Sequence, residues 1–149
     1  MPFRFSLQAV LRCRENFERR ERQRLQVISR EVVKAQQQRE AVKLERASAM
    51  SQLQMKLHQG MTAVEVQFEL ACDRARVRRI AAWNDQVRKL EDLRRRQLEV
   101  FRNTQQQRKI MENLRDRQLA AYRLVQVRRT QQQMDERFLI THAGQSSHS

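Results

Sequence analysis

Glycine and proline are nearly missing from this chain of 149 residues, which has only Gly60, Gly144 and Pro2, against roughly ten and seven for average usage. A fold assembled from tight turns is excluded, because those turns need residues that tolerate positive φ or pre-set it. Phe, Trp and Tyr together make up 5%, too few bulky side chains for a large globular core. No run approaches the roughly 20 consecutive apolar residues of a membrane-spanning helix. The short apolar stretch at the N-terminus contains Arg4 and leads into no longer hydrophobic segment, so the protein is expected to be soluble and unsecreted.

Arg, Gln, Glu, Leu, Val and Ala fill the sequence instead, and most of these are good helix formers. Apolar residues recur every three or four positions, which favours helix over low-complexity disorder. No glycine or proline lies between Ser6 and His58. Ser6 stands as an N-cap, so a first helix is expected over 6–58. Its alternating three- and four-residue stripe runs Leu7, Leu11, Arg14, Glu18, Glu21, Leu25, Ile28, Val32, Ala35, Arg39, Val42, Arg46, Ala49, Leu53 and Lys56, nine of the fifteen being apolar. Such a narrow stripe fits a coiled coil with one partner helix. The charged members are expected to weaken the packing locally.

Gly60 follows this stripe as a helix-terminating residue should, giving a turn at 59–61. Thr62 and Glu65 have capping-box spacing and open a second helix over 62–138. Its apolar positions are Val64, Phe68, Ala71, Ala75, Ile80, Trp83, Val87, Leu90, Leu93, Leu98, Phe101, Ile110, Met111, Leu114, Ala121 and Val125, with a stutter near Arg76–Arg79. The expected fold is all-α, a long antiparallel two-helix coiled-coil hairpin over 1–140. Roughly twenty residues of the longer second arm overhang the N-terminus of the first. Residues 141–149 lack periodic apolar positions and are expected to be disordered.

Little reactive chemistry is available. In the hairpin Cys13 lies opposite residue 107 and Cys72 opposite residue 48, too far apart for a disulfide, so both are expected to pack as small apolar residues. His58, His142 and His148 have no Cys or carboxylate partner at metal-ligand spacing, and two glycines cannot make a phosphate-binding loop. The expectation is a protein that is not an enzyme, with no metal and no cofactor.

Lys and Arg number 31 against 17 Asp and Glu, a formal net charge of +14. Arginine dominates the cations, clustering at 19–24, 74–79, 94–96 and 128–129. Guanidinium groups suit bidentate pairing with carboxylates as well as phosphate, and pairs such as Glu15–Arg19 and Glu91–Arg95 have i,i+4 spacing. Charge alone brings salt-sensitive attraction to nucleic acid. No base-reading motif or stacking platform accompanies it, so no specific nucleic acid is expected. A basic nucleic-acid-binding coiled coil stays as an alternative.

The run Phe3-Arg4-Phe5-Ser6-Leu7-Gln8-Ala9-Val10-Leu11-Arg12, followed by Arg14 and Glu18, resembles the opening of the FliJ family of the bacterial flagellar export apparatus. Leu114-Arg115-Asp116-Arg117-Gln118 and Gln132-Gln133-Met134-Asp135-Glu136 resemble that family's C-terminal motif, so the likeness spans nearly the whole chain. The resemblance implies a hairpin similar to the γ-subunit stalk of rotary ATPases. It implies a role at the cytoplasmic face of the inner membrane, in the flagellar basal body. The partners it implies are the hexameric export ATPase (FliI), the export-gate protein (FlhA) and export chaperones. By the same resemblance the ATPase is bound through Phe3, Phe5, Leu7, Leu11, Leu114, Arg115, Arg117, Met134, Asp135 and Glu136. The gate is bound through Phe68, Cys72, Ala75 and Arg79, although Cys72 and Arg79 depart from the larger apolar and the neutral or titratable residue expected there. The stalk of a virulence type III secretion system is the nearest alternative.

Overall fold

The computed structural model describes residues 2–147. Two helices, α1 (Gln8–Gln59) and α2 (Ala63–Ser146), pack against each other, with no strand among the described residues. The all-α hairpin expected from the periodicity is therefore the fold. Gly60 adopts φ +99°, the left-handed conformation that a side chain disfavours. Thr62 Oγ1 accepts from the Glu65 amide at 3.3 Å while Glu65 Oε2 accepts from the Thr62 amide at 3.4 Å, closing the capping box.

Both outer helix ends differ from their sequence-derived boundaries. Ser6 and Leu7 form a turn, with the Gln8 amide donating to Phe5 O at 3.1 Å and the Leu11 amide to Leu7 O at 2.9 Å. The buried Phe5 ring anchors this turn, and α1 begins after it. At the other end α2 runs through Ser146, past the expected limit at 138. Thr141 Oγ1 donates to Arg137 O at 2.9 Å and Ser146 Oγ to Ala143 O at 3.0 Å, so these hydroxyls bond back along the helix instead of breaking it. Of the tail expected over 141–149, His148 and Ser149 lie outside the described residues.

The chain divides into two compact units, Arg19–Arg102 and the remainder, up to Glu18 and from Asn103 onward. In the Arg19–Arg102 unit α1 buries Val32, Ala35, Val42 and Leu53, and α2 buries Val87. Trp83 is half-buried on the same stripe of α2. In the other unit Phe5 and Leu11 are the buried apolar side chains, Leu11 completely so. Phe3 packs on Tyr122 with ring centroids 5.5 Å apart.

All the buried residues of α1 lie on its predicted stripe. The charged members, expected to loosen the packing, instead find partners across the hairpin. Arg14 donates to Gln107 at 2.6 Å, Glu18 pairs with Arg108, and Glu21 accepts from Gln97. Nearer the turn Arg39 meets Asn84 at 3.4 Å and Arg46 makes a bidentate pair with Asp73 at 2.8 and 3.3 Å. Polar pairs at seam positions fix register as well as contributing energy, since a slip would leave each of them unmatched. The same register sets Cys13 level with Gln107 and Cys72 level with the 46–47 region; both cysteines are free, and Cys13 is exposed where packing as a small apolar residue was expected, while Cys72 is half-buried.

The stripe on α2 needs correction at both ends and also at Leu93 and Ile110, which are exposed. Val64, Phe68, Ala71 and Ala75 are exposed, and Val66, Glu69, Asp73 and Arg76 take the inward side. The pairs Lys56–Glu69 and Arg46–Asp73 select that inward face over the apolar one. Farther along, Ala121 and Val125 are exposed while Tyr122 and Gln126 are half-buried, one residue past the predicted positions, with Tyr122 held against Phe3.

Candidate partner-binding surfaces

Of the residues assigned to the ATPase, Phe5 and Leu11 are buried and Leu114 is half-buried. Side chains so placed pack the end of the hairpin. Phe3 is half-buried against Tyr122. Leu7, Arg117, Met134, Asp135 and Glu136 are exposed. Arg115, with its Nε 3.6 Å from Asp116, borders a notch floored by Phe3, Phe5 and Leu119 and flanked by Arg4. Below it the Glu18 carboxylate, 7% exposed as a side chain, pairs with Arg108, which also reaches Glu112 at 2.6 Å. Hydrogen bonding to Glu112 and Glu18 raises the Arg108 guanidinium above its ordinary value, against the opposing effect of desolvation.

The four residues assigned to the gate lie in the Arg19–Arg102 unit. Their spacing of four, three and four sets them along one side of α2. Phe68, Ala75 and Arg79 are exposed and Cys72 is half-buried. Arg79 is engaged with Glu45 at 3.5 Å, as is Arg76 at 3.7 Å. Phe68 also lines a cleft of about 500 Å³ beside the turn, with Gly60, Met61 and Val64 on its apolar side and Lys56 and Glu69 on its polar side. Val64, exposed to 75%, belongs to this surface and was missed because its spacing assigned it to the seam.

A second omission lies on the overhanging part of α2. Leu124, Val127, Met134 and Phe138 are exposed to between 53% and 66% and, with Gln131 between Val127 and Met134, alternate at three- and four-residue spacing. Only Met134 had been singled out. The heptad spacing itself carried the signal, hidden by assigning Val125 to the interior. Phe138 packs against His142 one turn later, with ring centroids 4.2 Å apart and the planes tilted by 32°.

Among the described residues no group of three or more His, Cys, Asp and Glu could hold a metal ion, and no helix is long and apolar enough to cross a membrane. A family model described as the flagellar FliJ protein matches residues 3–147. No curated protein and no solved structure matches the chain.

Proposed function

Because the chain belongs to the flagellar FliJ protein family, a family of the flagellar export apparatus, we propose that it acts as a stalk regulating the export ATPase ring. Its terminal end engages the hexamer (FliI), the side of α2 after the turn meets the export gate (FlhA), and the protein assists export chaperones at the cytoplasmic face of the inner membrane. The observation that carries this reading is the terminal unit, where the N-terminal segment is locked onto α2 by Phe5, Leu11 and Glu18–Arg108 while α2 runs on as an exposed helix. A preassembled helical end presents a ring with a surface already ordered, which lowers the entropic cost of docking. Such a role requires no covalent chemistry.

The test is ATP hydrolysis and ring assembly by the export ATPase of the same organism, with and without this chain. Stimulation with ring formation is expected at about one chain per hexamer, a ratio that follows from a single asymmetric hairpin occupying one ring axis. The exposed set Leu7→Ala, Arg117→Ala and Met134→Ala should reduce stimulation without loss of helicity. Absence of binding and stimulation by the unmodified chain would reject the stalk role. For the gate surface, Phe68→Ala and Val64→Ser should weaken binding to the gate protein and leave ATPase stimulation intact.

A further inference from the structure

We infer that the stripe formed by Leu124, Val127, Met134 and Phe138 docks an acidic amphipathic helix. These residues occupy the a and d positions of successive heptads, with Gln131 completing the series, and every one is exposed. Tyr122 and Gln126, the half-buried residues of this stretch, fall on roughly the opposite side of the helix at 100° per residue. The stripe is therefore separate from the side of α2 that the N-terminal segment occupies. An apolar seam at this spacing is covered in water by another helix bearing its own seam.

The flanking charges choose the occupant. Arg123, Thr130 and Arg137 hold the g positions, and Arg128, Asp135 and His142 hold the e positions. A second copy of the chain is a poor fit. In a parallel pair Arg123 faces Arg128 of the second copy. The antiparallel register that stacks Leu124 on Met134 of the second copy sets Arg123 against its Arg137 and Arg128 against its Arg128. Like charges opposed across a seam act against that partner, whereas Glu at the same places pairs with all three arginines.

This inference rests on reading the terminal end as a partner-binding region and names the chemistry of one partner there. The probes are two synthetic helices of three heptads, with Leu at a and d and either Glu or Lys at e and g. Each is titrated into the full chain by fluorescence anisotropy at physiological salt. The Glu helix should bind tighter by on the order of tenfold or more. Met134→Ser with Phe138→Ser should abolish that binding while circular dichroism stays unchanged, and Arg123→Glu, Arg128→Glu and Arg137→Glu together should reverse the preference. Equal binding of the two helices, or Glu-helix binding that survives the serine pair, overturns the inference. So does a dimer in sedimentation that the serine pair dissolves, because a second copy would then be the occupant. ATPase stimulation by a chain that ignores the Glu helix leaves the stalk reading standing and ends this one; binding of the Glu helix by a chain that fails to stimulate does the reverse.

Discussion

Leu11 and Glu18, the latter paired with Arg108 of α2, sit two turns apart on α1, yet their substitution should be felt differently. Leu11 is fully buried. Leu11→Ala should lower unfolding free energy by about 2–5 kcal/mol in urea titration, the range for emptying a leucine site. Glu18→Ala removes one of two carboxylates from Arg108, which keeps Glu112, and should cost on the order of 1 kcal/mol, whereas Glu18→Leu combined with Arg108→Leu should be near neutral or stabilising. Equal losses in the single and double variants would remove the case for a desolvated pair. Asp73 gives the pH dependence. Its bidentate hydrogen bonds to Arg46, helped by the charges of Arg46 and Arg76, hold its carboxyl below the ordinary value despite opposing desolvation. A carboxyl depressed in the folded state supplies stability that is complete above the unfolded pKa of about 4 and lost as pH falls through the folded value. Urea titrations at stepped pH should show that decline below about pH 4, and Asp73→Asn should flatten it.

At the scale of elements, the turn is the best-specified part of the chain. A Cβ at Gly60 would meet no atom within 4 Å, so the effect of Gly60→Ala is confined to the backbone. It should destabilise by about 1–2 kcal/mol, with Gly60→Asn milder because Asn tolerates the left-handed region. Thermal unfolding followed by circular dichroism measures both. The turn was legible because glycine and the Thr62–Glu65 capping box are local signals. The α1 stripe was legible as well, but the cross-hairpin pairing of its charged members was not, because their partners lie on the other arm. The α2 stripe was not, since two apolar stripes compete at each end of that helix and periodicity alone cannot say which one turns inward. At Val64 and Phe68 the decision belongs to Lys56 and Arg46, residues on the other arm. The terminal residues proposed for the ring contact divide into buried and exposed members, Phe5 and Leu11 against Leu7 and Arg117, and that division depends on the same long-range pairing. It could not be seen in either segment separately.

For the whole molecule, buried side chains are few and unevenly distributed. Val32, Ala35, Val42, Leu53 and Val87 support the Arg19–Arg102 unit, while Phe5 and Leu11 support the other. From Val127 to Ser146 every described residue is exposed. A helical stretch of that length without a packed face is marginal in water. Amide hydrogen exchange should therefore be fastest over 127–146 and slowest around Val32–Val42, and protection of the last stretch should rise when the ATPase or an acidic helix binds. Deleting residues 129–149 should leave the melting temperature unchanged. The shortage of aromatics gives this contrast a spectroscopic handle. Trp83 is the only tryptophan and belongs to one unit, and Tyr122 is the only tyrosine and belongs to the other. Excitation at the red edge reports Trp83 alone and is blind to the end that carries the proposed ring contact. Tyrosine absorbance, by contrast, follows the packing of Phe3 on Tyr122. With labelled tyrosine and tryptophan in this chain alone, an unaltered Trp83 signal on adding the ATPase would thus say nothing against binding, whereas a perturbed Tyr122 signal would mark the terminal unit as the place where it happens.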